Sequence, residues 1–202
     1  SGAFRFYLEQ GFYLAGYMAG KMSESGVVAM IGYNAIPSIK STFRGFEAGA
    51  RAANPDIVII EPTMDMNADI GKMKQATLAA IDAGADFVIH QANDKAQGVF
   101  DACKERGVNA FGANLNQNEN PSGAVIASAL IIAKPAYLDL ARQVNSDDYN
   151  GGVVLRGMSE GAIGFEVNSE FENLIGEDLL AEIAGLAEDI TNGDLVVPKD
   201  EF

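Results

Sequence analysis

The sequence predicts an α/β fold in which a parallel sheet is sandwiched by helices. Three observations carry this. Apolar runs of strand length recur through residues 1–118, amphipathic stretches of helical length separate them, and glycine or Asn-Pro closes those stretches. Strands spaced by whole helices need right-handed crossovers and come to lie side by side in parallel.

The first clear strand, "GVVAMIG" (26–32), is apolar with a glycine at each end, as suits a strand buried on both faces. Residues 38–55 then set Ile39, Phe43, Phe46, Ala50 and Ala53 at helical spacing and stop at Asn-Pro. "DIVIIEPTM" (56–64) reads as the next strand. After it, Ile70, Met73, Ala76, Leu78 and Ile81 fall on roughly one face of a helix that ends at Gly84, with Asp69 well placed as its N-cap. "DFVIHQA" (86–92) is a strand, 96–107 a helix closed by Gly107, and "VNAFGAN" (108–114) a strand. Ahead of these, Phe4, Phe6, Tyr7, Phe12 and Tyr13 read as the core side of an N-terminal helix. Cys103 falls on the apolar side of its helix, a small core residue.

Beyond residue 118 the pattern is less regular. "GAVIASALI" (123–131) fits a strand or the start of a helix, and 134–145 a helix. "GGVVLRG" (151–157) and "GAIGFEV" (161–167) fit short strands. Residues 176–193 form an amphipathic helix, and "DLVVP" (194–198) is expected as a terminal strand.

Composition narrows the function. With 202 residues, 48% hydrophobic and 21% charged, the chain can bury a real core. A net charge of −14 repels phosphate backbones, so nucleic acid is not expected as a partner. One cysteine and one histidine argue against a disulfide, a cysteine zinc cluster or another metal site. No G-x-S-x-G elbow, G-x-G-x-x-G turn or P-loop is present, and no cofactor is implied. The apolar runs are too short for a membrane-spanning helix, and the first residues lack the layout of a signal peptide.

In an open parallel sheet, ligands bind beyond the carboxyl ends of the strands. Four polar segments occupy that edge here: "YNAIPS" (33–38), "PTMDMNAD" (62–69), "HQANDKAQ" (90–97) and "NLNQNEN" (114–120). They supply the candidate ligand-binding residues Asn34, His90, Gln91, Asn93, Asp94, Asn114, Asn116 and Gln117. Side-chain amides donate and accept at once without charge, which suits bases, nucleosides, sugars or amides. Binding, not catalysis, is the expected activity, because no nucleophile–base pair or metal cluster stands out.

The run from Glu9 to Gly26, "EQGFYLAGYMAGKMSESG", resembles a motif of the basic membrane protein family, the purine nucleoside receptor A-like substrate-binding lipoproteins of ABC importers. The likeness continues through "IPSIKSTFRGFEAGARAANPDI", "DAGADFVIHQA", "GVFDACKERGVNAFG" and "ITNGDLVVP". It implies a type I periplasmic-binding-protein fold of two lobes that close on a purine nucleoside or base, and an ABC permease as partner. It also implies a periplasmic or extracellular cell-envelope lipoprotein whose signal and anchor are absent from this chain. His90 stands where the family often has an aromatic residue in V-I-F-Q, with Gln91 beside it. Asn114 and Asn116 replace two family acids, "ANDKA" a glycine-rich loop, and Ile131 a lysine. A free base or another small polar solute therefore stays open beside a nucleoside.

The resemblance begins near the family's crossover into its second lobe. By analogy, 1–118 form the second-lobe core, 119–149 cross to an incomplete first lobe, and 150–202 return. The alternative is a truncated member that self-associates through the incomplete lobe, has a structural role and binds no solute.

Overall fold

The computed structural model describes residues 2–33, 35–62, 64–146 and 149–200. The chain opens not with a helix but with strand β1 (Gly2–Phe6), so Phe4 and Phe6 are strand residues. Phe12 and Tyr13 are buried in helix α1 (Glu9–Met22), as expected. Strand β2 (Val27–Gly32) is buried over its last five residues. Helix α2 (Pro37–Ala53) starts with proline at its first turn, where no backbone N–H is needed, and buries Ile39, Phe43, Phe46 and Ala50.

Strand β3 (Val58–Ile60) is shorter than its apolar run. Helix α3 (Ile70–Asp82) is capped by the Asp69 carboxylate, which accepts from the Lys72 N–H at 2.8 Å. Its buried face is rotated from the expected one. Met73, Thr77 and Ala80 point inward, and Ile70 is exposed. Thr77 can be buried because its hydroxyl donates to the Met73 carbonyl at 2.7 Å. Strand β4 (Phe87–Gln91) is buried throughout and leads through a 3₁₀ turn (Asn93–Lys95) into α4 (Ala96–Arg106). Gly107 ends α4 in the left-handed conformation.

After β5 (Asn109–Asn114), residues 125–131 form strand β6 (Val125–Ile131) beside β5, settling the strand-or-helix ambiguity. The segment expected to leave for another lobe thus stays in the main sheet as far as Ile131. Only then does the chain depart, through α5 (Ala133–Asn145) and β7 (Gly152–Arg156). Strand β8 (Ile163–Val167) returns, a 3₁₀ turn (Ser169–Phe171) and short α6 (Glu172–Ile175) follow, and α7 (Glu177–Asn192) ends the helices. The expected strand at 194–198 does not form. These residues strap across the body instead: Val197 is buried, and its carbonyl accepts from the Tyr7 hydroxyl.

The main sheet has the order β3-β2-β4-β5-β6-β8, parallel except for the β6–β8 pair. β1 and β7 form a separate two-stranded parallel ribbon. β2 connects through α2 to one side and β3 through α3 back past it. Right-handed crossovers therefore set α2, packed on α1, on one face and α3, packed on α4, on the other.

Candidate functional site

The strand order reverses between β2 and β4, whose helices leave toward opposite faces. A crevice opens at the carboxyl ends of two such strands. There Ile31 pairs with His90 and Gly32 with Gln91. Glycine is needed at position 32, since a β-carbon would stand 2.7 Å from the Gln91 carbonyl oxygen.

Gln91 is buried at the centre of a neutral polar ladder. Its amide nitrogen donates to the Thr42 hydroxyl at 3.4 Å, and its amide oxygen accepts from the Asn114 side chain at 3.2 Å. The Thr42 hydroxyl in turn donates to the Ile39 carbonyl at 2.8 Å. Asn114 ends β5 with φ of 70°, a left-handed conformation that asparagine tolerates better than most side chains. Three segments from three parts of the chain thus meet through uncharged side chains.

His90 is 1% exposed. Its Nδ1 accepts the Ala92 N–H at 3.3 Å, which leaves Nε2 to carry the hydrogen and donate to the Gln117 side-chain oxygen at 2.9 Å. Burial pushes the imidazole down to about 4, against a smaller opposing effect of the Gln117 bond, so the ring is neutral at neutral pH. The ring stands perpendicular to that of Phe100, with 5.1 Å between centroids and 89° between planes.

The other expected residues lie around this centre. Asn93, with φ of 47°, and Asp94 are exposed on the 3₁₀ turn. Lys95, hydrogen-bonded to Asp94, holds that carboxyl below its ordinary value. Asn116 is exposed and folds its own loop, its side-chain oxygen accepting the Asn118 N–H at 2.9 Å. Asn34 lies outside the described residues. Thr42 was not foreseen from the sequence. Its signal was a pair of polar residues, Ser41 and Thr42, interrupting the apolar face of α2. Among the described residues, no group of three or more His, Cys, Asp or Glu side chains could hold a metal.

Comparison with known proteins gives the fold and site a setting. The profile of Bmp, "ABC transporter substrate-binding protein PnrA-like", matches residues 1–201. Basic membrane protein C of Borreliella burgdorferi is 28% identical over 205 residues, covering 99% of this chain and 57% of that protein. Basic membrane protein A of Borreliella afzelii is 25% identical over 201 residues, covering 97% and 61%. The chain thus spans less than two thirds of the length of these relatives. Among solved structures, an ABC transporter solute-binding protein of Aeropyrum pernix K1 superposes with a TM-score of 0.81 at 20% identity, covering 99% of this chain and 67% of that one. One from Conexibacter woesei gives 0.78 at 21%, covering 97% and 65%. The architecture shared with them is of the type I periplasmic-binding kind.

Proposed function

This chain belongs to the Bmp family of PnrA-like ABC-transporter substrate-binding proteins, and from that premise we propose that it binds an uncharged polar solute, a purine nucleoside or free base, in the β2/β4 crevice. The observation that carries the reading is the Thr42–Gln91–Asn114 ladder at the strand-order reversal. Its groups are neutral donors and acceptors, suited to a base or sugar edge and poorly suited to an ion. Asn93, Asp94 and Asn116 rim it.

Binding is completed by closure of the incomplete first lobe, of which the β1–β7 ribbon and α5 are part. The segments join the two bodies side by side. Tyr7 N–H donates to the Arg156 carbonyl at 2.8 Å, Ile132 N–H to the Ala162 carbonyl at 2.8 Å, and Met158 N–H to the Gln10 side chain at 2.8 Å. The solute favours the closed population, and an ABC permease reads that state. The activity is solute delivery for transport, without turnover of the solute, at the cell envelope. No helix among the described residues is long and apolar enough to cross a membrane.

A thermal-shift series with inosine, adenosine, guanosine, adenine, hypoxanthine and ribose tests this. Ligand at a hundredfold excess over its dissociation constant should add about 2.7 kcal/mol. A selective rise with purines, reduced in Asn114→Leu, supports the reading; no rise with any of them removes it for this chain.

A second reading has its own observation. Two-stranded sheets are marginal alone, yet the β1–β7 ribbon carries Val153 at 74% exposure, with Val154 and Leu155 also exposed. Self-association would cover this apolar surface. Sedimentation that shows a stable oligomer, together with a flat solute screen, would favour a structural role.

A further inference from the structure

We infer that His90 is a positioning residue, which through Gln117 holds the loop at 114–118 over the crevice and does not touch the solute itself. The inference rests on the crevice being the solute site.

The ring has no nitrogen left for a ligand. Nδ1 is occupied by the Ala92 N–H and Nε2 by Gln117, while the ring is almost wholly enclosed and packs at right angles to Phe100. A stacking residue needs an open face, and this one has little surface of any kind. Its hydrogen bond instead reaches a residue 27 positions along the chain.

Gln117 passes that constraint on. Its side-chain oxygen also accepts the Ala113 N–H at 2.8 Å, so the last residues of β5 and the loop that follows are tied to one atom. Gln117 N–H donates to the Ser128 hydroxyl at 3.1 Å, and that hydroxyl donates to the Asn118 side-chain oxygen at 2.8 Å. Asn118 then reaches the Glu166 carbonyl at 3.2 Å. The relay runs from β4 through the loop to β6 and β8. Gly112 makes room for it, since a β-carbon there would lie 2.3 Å from the Ser128 oxygen and 3.0 Å from the Gln117 β-carbon.

The loop so held keeps Asn114 in its left-handed conformation with its amide on Gln91. It also leaves Leu115 70% exposed beside it, an apolar surface at the same edge as the amide ladder. His90 and Gln117 set where these groups stand; Asn114 and Leu115 meet the solute.

The test uses the ligand-free chain, so it stands whatever a solute screen returns. His90 is the only histidine, and its two ring nitrogens are therefore directly assignable in a long-range ¹H–¹⁵N spectrum. One protonated Nε2 and one accepting Nδ1 are expected; a protonated Nδ1 or averaged tautomers would overturn the inference. Hydrogen exchange of the residue-117 amide supplies the second readout. His90→Phe and Gln117→Leu should each speed it about tenfold, the scale of one lost hydrogen bond. The double variant should go no further than either single one. His90→Gln, which can donate from nearly the same point, should return most of the protection. If His90→Phe exchanges like the wild type, or binds inosine as tightly with its loop unaltered, His90 is a packing or stacking residue and the inference fails. Should His90→Phe not fold, the nitrogen spectrum of the wild type decides.

Discussion

Gly49 on α2 lies so close to Tyr13 on α1 that a β-carbon there would stand 1.9 Å from the Tyr13 carbonyl oxygen. The contact is reciprocal. A β-carbon on Gly16 would stand 2.0 Å from the Phe46 carbonyl oxygen. Backbone meets backbone here, and both obstructing atoms are fixed within helices. Gly49→Ala should therefore destabilise by about 1–3 kcal/mol, lowering the midpoint by roughly 2–4 °C per kcal/mol. Gly185 on α7 has nothing within 4 Å of a β-carbon. Gly185→Ala should raise the midpoint slightly, by relief of chain entropy. Scanning calorimetry of the two variants checks the pair, and equal effects would sink the packing argument.

The buried imidazole makes stability depend on acid. His90 has a value of about 4 when folded and an ordinary value of 6.5 when unfolded. Between those values the unfolded chain binds the extra proton. Stability from this group is thus complete above about pH 6.5 and falls as pH drops toward about 4, by roughly 3 kcal/mol at the bottom of the window. Urea titrations across that range should show a steeper loss in the wild type than in His90→Gln. Parallel curves would contradict the burial.

Asp86 ties the turn after α1 to the start of β4. Its carboxylate accepts the Ser23 hydroxyl at 2.7 Å and the N–H groups of Glu24 and Ser25 at 2.8 and 2.9 Å. Three donors lose their acceptor in Asp86→Ala, so a cost of about 1–3 kcal/mol is expected. Chemical denaturation measures it, and an unchanged midpoint would mean water replaces the carboxylate without loss.

Cys103 is enclosed, and burial pushes its thiol up to about 12. The thiolate is the reactive form. A disulfide reagent at neutral pH should leave the native chain unmodified and label it only as fast as it unfolds. Rapid labelling under native conditions would show that the helix opens locally.

The crevice shows how far residue patterns reach. The repeated strand-then-helix rhythm placed 33–38, 90–97 and 114–120 at one sheet edge, and Gln91 and Asn114 do meet there. Thr42 was missed because a hydroxyl on a helix says nothing about which loop faces it.

Elsewhere the local signal was real and its partner was hidden. Phe4 and Phe6 carry the same apolar character in a strand as in a helix, and only pairing with β7 makes them β1. Within 123–131, Val125–Ile131 became a strand because β5 offered a ladder, whereas 194–198 pairs with no strand and instead buries Val197 against the body. Periodicity and punctuation, which act over a few residues, thus determined the α/β class and most of the first half. The tertiary structure decided the strand order, the departure point at Ile132, the inward turn of His90 and the junction at Gln91. Each of these depends on groups far apart in the chain competing for one partner, and a linear pattern carries no record of who wins.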